Sequence, residues 1–597
     1  MTPDPEDRHD GTLAAVEAVA GAEGMFAGLD DEARAAVEAE TRWTLLRSGE
    51  TLFREGDPAD ALYVLVSGRL RVLVDGAEGE RVVAAEIGRG EIVGEMALLT
   101  GAPRSATVTA VRDSRLVRLS QAAFERIIQR CPQAMLLVTR RLVQRLQQTT
   151  RTPRTRSTMV TIAMVPLDPR IDVDAVAAGL VRTLAPAGAA TLVTRARVEA
   201  ALGADAGDDR VFAWLDALER DFHYVLYAGD ASDPGWTDRA ARQADCLLFV
   251  APGDREPRAE AAALVGRAAA APAARELLLL HPPPHHPPRY TAGWLGVTGA
   301  RAHHHVRSGS EADLARLARV LAGRGVGLAL GGGGARGFAH IGVIEALGDA
   351  GIAIDAVGGT SMGAVIAAQY AAGADPAAMR ALNRQHWIRR NPLKDKTLPV
   401  VALLAGRRLD RMMDAMFGEL RIEDLRTTFF CVSSDITRAE MHVHVRGALG
   451  RAARASMSLP GLAIPVHDAG SMLVDGGIMN NVPADIMRTI CGRVAAVDVS
   501  PERDLVIKAP YAPAASGWRL LWGRQDTGLP GIGAILMRSA MLGSARHNAS
   551  VARDADFFLH PSLERFGMFE WGSLDAIADA GRTAARDALV AGAAALR

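Results

Sequence analysis

The sequence predicts a multidomain α/β protein: a small antiparallel β-barrel, a doubly wound α/β domain, and a second α/β region that carries the chemistry. Three observations predict this. At 597 residues the chain exceeds what one hydrophobic core organises. With 49% hydrophobic and 23% charged residues, its composition is that of a globular protein. Its texture also changes along the chain, from β-rich runs with glycine turns to strands alternating with alanine-rich helical segments from Met159, and a third region opens at Gly325 with strand, glycine loop and helix.

After an N-terminal tail and helix over residues 1–24, the barrel is expected within residues 25–150. ALYVLVSGRLRVLVDG and RVVAAEIGRGEIVGE alternate short β-rich runs with glycine turns. A helical stretch from Phe124, interrupted by Pro132, leads to the polar run TTRTPRTRST, where the first boundary falls. Over residues 158–310, the strand candidates TIAMVPL, YVLYAG, CLLFVAP and ELLLLHP alternate with alanine-rich helical segments, the pattern of a Rossmann-like sheet. HPPPHHPPRY reads as a loop, because proline continues neither a helix nor a central strand. The third domain spans residues 325–597, with its core in 326–490, and the helical run from Leu574 docks on it.

Charge and cysteine usage narrow the function classes. A formal charge of −1 creates no global field for nucleic acid, and none is expected as a partner. Cys131, Cys246, Cys431 and Cys491 are too scattered for a zinc site or a disulfide scaffold, so a reducing cytoplasm fits best. The acidic start MTPDPEDRHDG is unlike a secretory signal, and no apolar window reaches the roughly 18 residues of a membrane span. A cytoplasmic protein, peripheral at the inner membrane face where it meets membranes, is the expectation.

The chemistry gathers in three segments. DAVGGTSMGAVIAAQYAAG places Gly359-Thr360-Ser361-Met362-Gly363 between an apolar strand and a helix, the G-x-S-x-G nucleophile elbow. Glycines at both ends permit a tight turn that exposes the serine at a helix N-terminus. Upstream, GLALGGGGARGFAHIGVIEAL sets four glycines between strand and helix, where unobstructed N–H groups can hold the oxyanion of acyl transfer or cradle a phosphate. No Gly-Lys-Ser/Thr follows, which counts against phosphate. Because a serine needs a base, SMLVDGGIMNNVP is notable: an apolar strand ends in Asp475-Gly476-Gly477. Alone, that aspartate reads as a turn residue.

Together these segments resemble the patatin-like phospholipases, with Gly332-Gly333-Gly334-Ala335-Arg336-Gly337 as the oxyanion loop, Ser361 in its elbow and Asp475 in D-G-G. The resemblance implies an α/β/α fold and a Ser361–Asp475 dyad without histidine. Gly332, Gly333 and Gly334 then form the oxyanion hole, Gly359 and Gly363 shape the elbow, and Arg336, Gly476 and Gly477 support. The substrate implied is a phospholipid or lysophospholipid, with no catalytic cofactor or metal. ARASMSLPGLAIPV also resembles the corresponding run of that family. Arg336 either steers a lipid phosphate or braces its loop. A triad would recruit His340, His442 or His444.

The barrel ends in GEMALLTGAPRSATVTAV, which resembles the phosphate-binding cassette of cyclic nucleotide-binding domains, a jelly-roll fold. The resemblance assigns nucleotide contacts to Gly94, Glu95, Arg104 and Ser105, with cAMP or cGMP as regulatory ligand. Arg104 can pair with the phosphate and Glu95 can accept from the ribose. Barrel, middle domain and patatin-like domain in this order resemble the neuropathy target esterase family of lysophospholipases, a likeness extended by WTDRAARQADCLLFVAP and DLARLARVLAGRGVGLALGGGGARG. The alternatives are a nucleotide sensor with a degenerate esterase domain, or a general carboxylesterase. For membrane contact the candidates are Arg140, Arg141, Arg145, Arg151, Arg154 and Arg156, and SGWRLLWGRQ. His281, His285, His286 and His303 to His305 read as polar-loop residues.

Overall fold

A computed structural model describes residues 41–75, 81–130, 161–268, 272–284, 286–500 and 553–597, with 539 and 551 besides. The expected N-terminal helix, Cys131, His285, the arginines from Arg140 to Arg156 and SGWRLLWGRQ lie outside the described residues. The chain forms two compact units, one ending at Ala318 and one running from Arg319 to Arg597.

The first unit opens with β1 (Thr41–Leu46), β2 (Thr51–Phe53), β3 (Ala61–Asp75), β4 (Arg81–Ile87), β5 (Ile92–Val93) and β6 (Thr107–Ser120). All pair antiparallel in the order β1-β6-β3-β4, with β2 on β6 and β5 on β3. The β3/β6 ladder changes register around Gly68, whose φ of +102° and missing side chain admit the Ser114 backbone. The bulge bends the long strand so that the sheet can close over Leu65, Leu70, Val108 and Leu116.

β7 (Thr161–Pro166), β8 (Ala190–Val193), β9 (Tyr224–Ala228), β10 (Cys246–Pro252), β11 (Ala274–His281) and β12 (Ala302–Arg307) then form one wholly parallel sheet. Its order is β8-β9-β7-β10-β11-β12, which exchanges β8 and β9 relative to the 3-2-1-4-5-6 arrangement. Every residue of β7, β9 and β10 is buried, which is why these strands read as unbroken apolar runs. The helix Val173–Leu184 is started by Asp172, which accepts from the Ala175 N–H at 2.9 Å.

The sequence expectation of a polar histidine loop is corrected here: His281 ends β11 and His303, His304 and His305 belong to β12. In the paired strands His304 Nε2 meets Glu276 Oε2 at 2.9 Å and His305 Nδ1 meets His281 Nε2 at 3.0 Å. Sheet pairing gives these rings partners that a loop reading does not foresee.

A buried ionic cluster joins the barrel to this sheet. Arg112 of β6 lies 2.5 Å from Glu219 and 3.2 Å from Asp245, and Arg69 of β3 lies 3.0 Å from the same Asp245 oxygen. Tyr227 donates to Glu219 at 3.1 Å. Burial pushes the Glu219 carboxyl up, against the pull of Arg112, whose own guanidinium is held above its ordinary value by that pair.

The second unit contains β13 (Val326–Leu330), β14 (Ala356–Thr360), β15 (Thr428–Asp435), β16 (Glu440–His444), β17 (Val466–Asp468), β18 (Ser471–Asp475), β19 (Arg493–Val497) and β20 (Phe557–Leu559). β15, β14, β13, β19 and β20 run parallel in that order, and β18, β17 and β16 join antiparallel beside β15. β13 and β14 are buried throughout. The helices Ala339–Asp349, Met362–Ala371 and Leu574–Gly592 bury residues of their own in the main core, including Ile341, Val365 and Ile577. The C-terminal helix therefore packs into this domain.

Candidate active site and nucleotide cradle

β13 and β14 deliver their following loops to the same carboxyl edge of the sheet, where open parallel sheets place their sites. Ser361 leaves β14 with φ 55° and ψ −123°, a conformation that a non-glycine residue holds only when its surroundings enforce it. The enforcement is visible. The Ser361 N–H donates to Ser456 Oγ at 2.9 Å, and Ser456 Oγ donates to the Val432 carbonyl at 2.6 Å. Thr360 Oγ1 donates to the Asn480 carbonyl at 2.9 Å. A Cβ at Gly359 would stand 2.7 Å from the Leu330 carbonyl, and one at Gly363 2.7 Å from that of Gly331, so both glycines let the elbow press against the end of β13.

That same end becomes the glycine loop. A side chain at Gly332 would meet Ser361 Cβ at 2.9 Å, which places this loop directly beside the serine. Gly332 N–H donates to Asn481 Oδ1 at 3.2 Å, and Asn481 Nδ2 returns a bond to the Gly332 carbonyl at 3.3 Å. Gly333 and Gly334 N–H groups find no acceptor among the described residues. Gly334 sits at φ +60°, with Ala335 N–H bonded to the Met568 carbonyl at 2.8 Å. Arg336 Nε donates to the Phe566 carbonyl at 2.9 Å, and burial lowers its pKa, so the arginine braces the loop against the C-terminal segment.

Asp475 ends β18, paired across the sheet with Ser433. It is 1% exposed. Oδ1 accepts from Gly477 N–H at 2.8 Å, whereas Oδ2 is buried and accepts no well-formed hydrogen bond among the described residues. Burial pushes this carboxyl up to about 6, and the neighbouring Ser361 hydroxyl and the Gly477 amide restrain the rise. Gly476 lies against the Val432 carbonyl, leaving no room for a side chain.

The histidines stand elsewhere. His340 Nε2–H donates to the Gly331 carbonyl at 2.8 Å, and burial lowers its pKa to about 4, so it is a neutral support of the loop. His444 is held by Ser433 Oγ at 2.8 Å, with a pKa pushed down to about 3 by burial and by His442. Sequence reasoning missed Ser456 and Asn481. Both residues act through chain partners far away in sequence, Ser456 on Ser361 and Asn481 on Gly332.

In the barrel, Gly94, Glu95, Arg104 and Ser105 line one cavity of about 220 Å³ with Phe53, Val72 and Val93. Gly94, at φ 87°, begins the short helix Glu95–Thr100. Arg104 is 3% exposed, donates to the Gly94 carbonyl at 2.9 Å and the Ala61 carbonyl at 2.6 Å, and lies 4.2 Å over the Phe53 ring. Its Nε is buried with no partner among the described residues, and burial lowers its pKa.

Residues 328–488 match the family model described as patatin-like phospholipase, and residues 43–131 that of the cyclic nucleotide-binding domain. The class of the chain is thus a patatin-like phospholipase domain carried behind a cyclic nucleotide-binding jelly roll. Residues 158–320 match the P-loop like domain of the Neuropathy Target Esterase family. Over most of its length the chain is similar to the neuropathy target esterase family of patatin-like phospholipases. Patatin-like phospholipase domain-containing protein 6 of Mus musculus is 33% identical over 90% of this chain and 44% of its own length. A lysophospholipase of Mycosarcoma maydis is 31% identical over 93% of this chain and 34% of its own. The chain therefore spans less than half the length of these relatives. Among solved structures, a cyclic nucleotide-binding domain from Methylobacillus flagellatus is 26% identical over 24% of this chain and 79% of its own, with a TM-score of 0.21. Among the described residues, no helix is long and apolar enough to cross a membrane.

Proposed function

We propose that the chain is a serine acyl-hydrolase that cleaves fatty acyl esters of lysophospholipids or phospholipids through Ser361 and Asp475. The observation that carries this reading is a serine held in a strained elbow beside a buried carboxylate whose Oδ2 lacks a well-formed partner. In the reaction, Ser361 Oγ bonds to the ester carbonyl carbon as its proton passes to Asp475. The carbonyl oxygen gathers charge and takes the free N–H groups of Gly333 and Gly334. Collapse breaks the acyl C–O bond, and the departing glycerol oxygen takes the proton back from Asp475. Water then repeats the sequence on the acyl-serine and releases the fatty acid. A carboxyl near pKa 6 is ionised at neutral pH yet more basic than an ordinary aspartate, which suits a general base.

The Gly332 N–H is already committed to Asn481, so its role in this scheme is to fix the loop. A lipid ester as substrate is supported by the relative named as a lysophospholipase and by the family itself. The described cysteines Cys246, Cys431 and Cys491 are buried and are not joined in disulfides. Labelling with a fluorophosphonate probe, paired with fatty acid release from lysophosphatidylcholine, tests the proposal. Wild type should label and hydrolyse and Ser361→Ala should do neither; equal release by both proteins would refute the assignment.

A second reading concerns the barrel. The unpartnered Arg104 Nε in a cavity shared with Glu95 favours a bound cyclic nucleotide, whose phosphate would supply the missing acceptor. Modulation of the hydrolase by cAMP or cGMP follows if binding is seen. Calorimetric titration with each nucleotide decides it, and the absence of heat with both would leave the barrel a structural module.

A further inference from the structure

Between the helical turn Arg384–Arg389 and the helix Arg407–Phe417, the chain makes a short hairpin. Thr397 N–H donates to the Leu403 carbonyl at 3.0 Å and Ala405 N–H to the Asp395 carbonyl at 2.8 Å, which sets Lys396 antiparallel to Leu404. Its base is fixed. Leu403 and Leu404 N–H groups donate to the Gly461 and Leu462 carbonyls, each at 2.9 Å, and Ala402 and Leu404 are buried.

The opposite side of the hairpin points away from any core. Leu398, Val400, Val401 and Leu403 are 79%, 82%, 67% and 52% exposed. No other six-residue stretch of the described chain exposes more than two large apolar side chains. Four such side chains held outward by backbone hydrogen bonds form a patch that water solvates poorly.

Cations flank it in sequence on both sides. Arg389, Arg390, Lys394 and Lys396 precede the tip and Arg407 and Arg408 follow it; all six are exposed, and none is ion-paired among the described residues. The nearby carboxylates are engaged: Asp410 bonds to Arg454 at 3.0 Å, and Asp395 accepts from the Arg408 N–H at 3.1 Å. Two of the three lysines in the whole chain, Lys394 and Lys396, lie here. An apolar tip between flexible cations matches an interface with an anionic surface and an apolar interior. A protein groove would supply the second without requiring the first.

We propose that this hairpin docks the domain on anionic phospholipid bilayers, with the tip entering the acyl boundary and the cations meeting headgroup phosphates. The biological purpose of this contact rests on the lipid-hydrolase reading. The hairpin leans on Gly461 and Leu462, in the segment whose Ser456 bonds the Ser361 N–H and whose Ser458 carbonyl accepts the Asp475 N–H. Docking there would bring the bilayer to the polypeptide that holds the reactive groups.

Co-sedimentation of the full chain with phosphatidylcholine vesicles, with and without phosphatidylglycerol, tests this. Wild type and Ser361→Ala should bind the anionic vesicles alike. Val400→Ser/Val401→Ser should bind at least about tenfold more weakly, and Lys394→Gln/Lys396→Gln about fivefold more weakly per charge removed. Unchanged turnover of a soluble short-chain ester by both variants shows that fold and site are intact. Vesicle binding by the valine variant equal to wild type would overturn the proposal. Equal wild-type binding to uncharged vesicles, or none to either kind, would do the same, the last outcome leaving the hairpin to a protein partner. Failure of the hydrolase reading looks different: Ser361→Ala would keep its ester turnover while vesicle binding stayed as predicted.

Discussion

Lowering the pH should switch the proposed base off before it harms the fold around it. Moving the Asp475 carboxyl from its ordinary 3.8 to about 6 corresponds to about 3 kcal/mol against the ionised form, most of it caused by burial. The ionised form is the one that can take the Ser361 proton. kcat/KM for a soluble ester should therefore rise through an apparent pKa near 6 and level off above pH 7, falling about tenfold at one pH unit below that midpoint. The stability contribution of the same group runs the other way. Because the folded state holds this proton more tightly than the unfolded chain, Asp475 stabilises the fold below pH 3.8, and that contribution fades as pH rises to about 6. Activity lost on acidification within this window thus cannot be blamed on Asp475 unfolding the domain. Stopped-time assays with a chromogenic short-chain ester, alongside thermal unfolding at each pH, separate the two. A flat kcat/KM between pH 5 and 7, with the protein folded throughout, would refute the base assignment.

Other substitutions test the supports. Gly363→Ala forces a methyl group against the Leu330 and Gly331 carbonyls and should cost about 1–3 kcal/mol, read as a lower Tm together with weaker fluorophosphonate labelling. Arg104→Ala leaves the Gly94 and Ala61 carbonyls without their donor; it should lower barrel stability by about 1–3 kcal/mol in the absence of nucleotide and abolish any calorimetric nucleotide signal. Arg112→Ala strands Glu219 in a buried site, while Asp245 keeps Arg69, and should cost about 3–5 kcal/mol in denaturant unfolding, with partial recovery when Glu219→Gln is added. If Arg112→Ala proved neutral, the ionic cluster would not be holding barrel and sheet together.

How much of this was legible depended on whether a residue's reason was local. Gly359 and Gly363 announced the elbow because a tight turn beside a strand end excludes side chains, and the apolar runs of β7 and β10 announced strands buried on both faces. Asp475 became visible only beside the other two motifs, since D-G-G alone describes a turn. Ser456 and Asn481 stayed unreadable as functional residues: a serine or asparagine side chain acquires its role from the carbonyl or amide that tertiary pairing brings to it. The histidines of β12 misled for the same reason, their partners being Glu276 and His281 on the neighbouring strand. The run TLPVVALLAG has the composition of a core strand, and only the fold turns Leu398, Val400, Val401 and Leu403 outward.

Ser361 follows β14 and Asp475 ends β18, and the two meet only once β15 has paired with both strands, Thr360 with Val432 and Ser433 with Asp475, each across a long loop. Contacts of such sequence separation are the slow ones to form. Chemical competence is therefore a late event in the life of the refolding chain: a probe that reacts only with a based serine should report recovery after helix content has returned, and a chain released before residue 475 would carry a nucleophile with nothing to waken it.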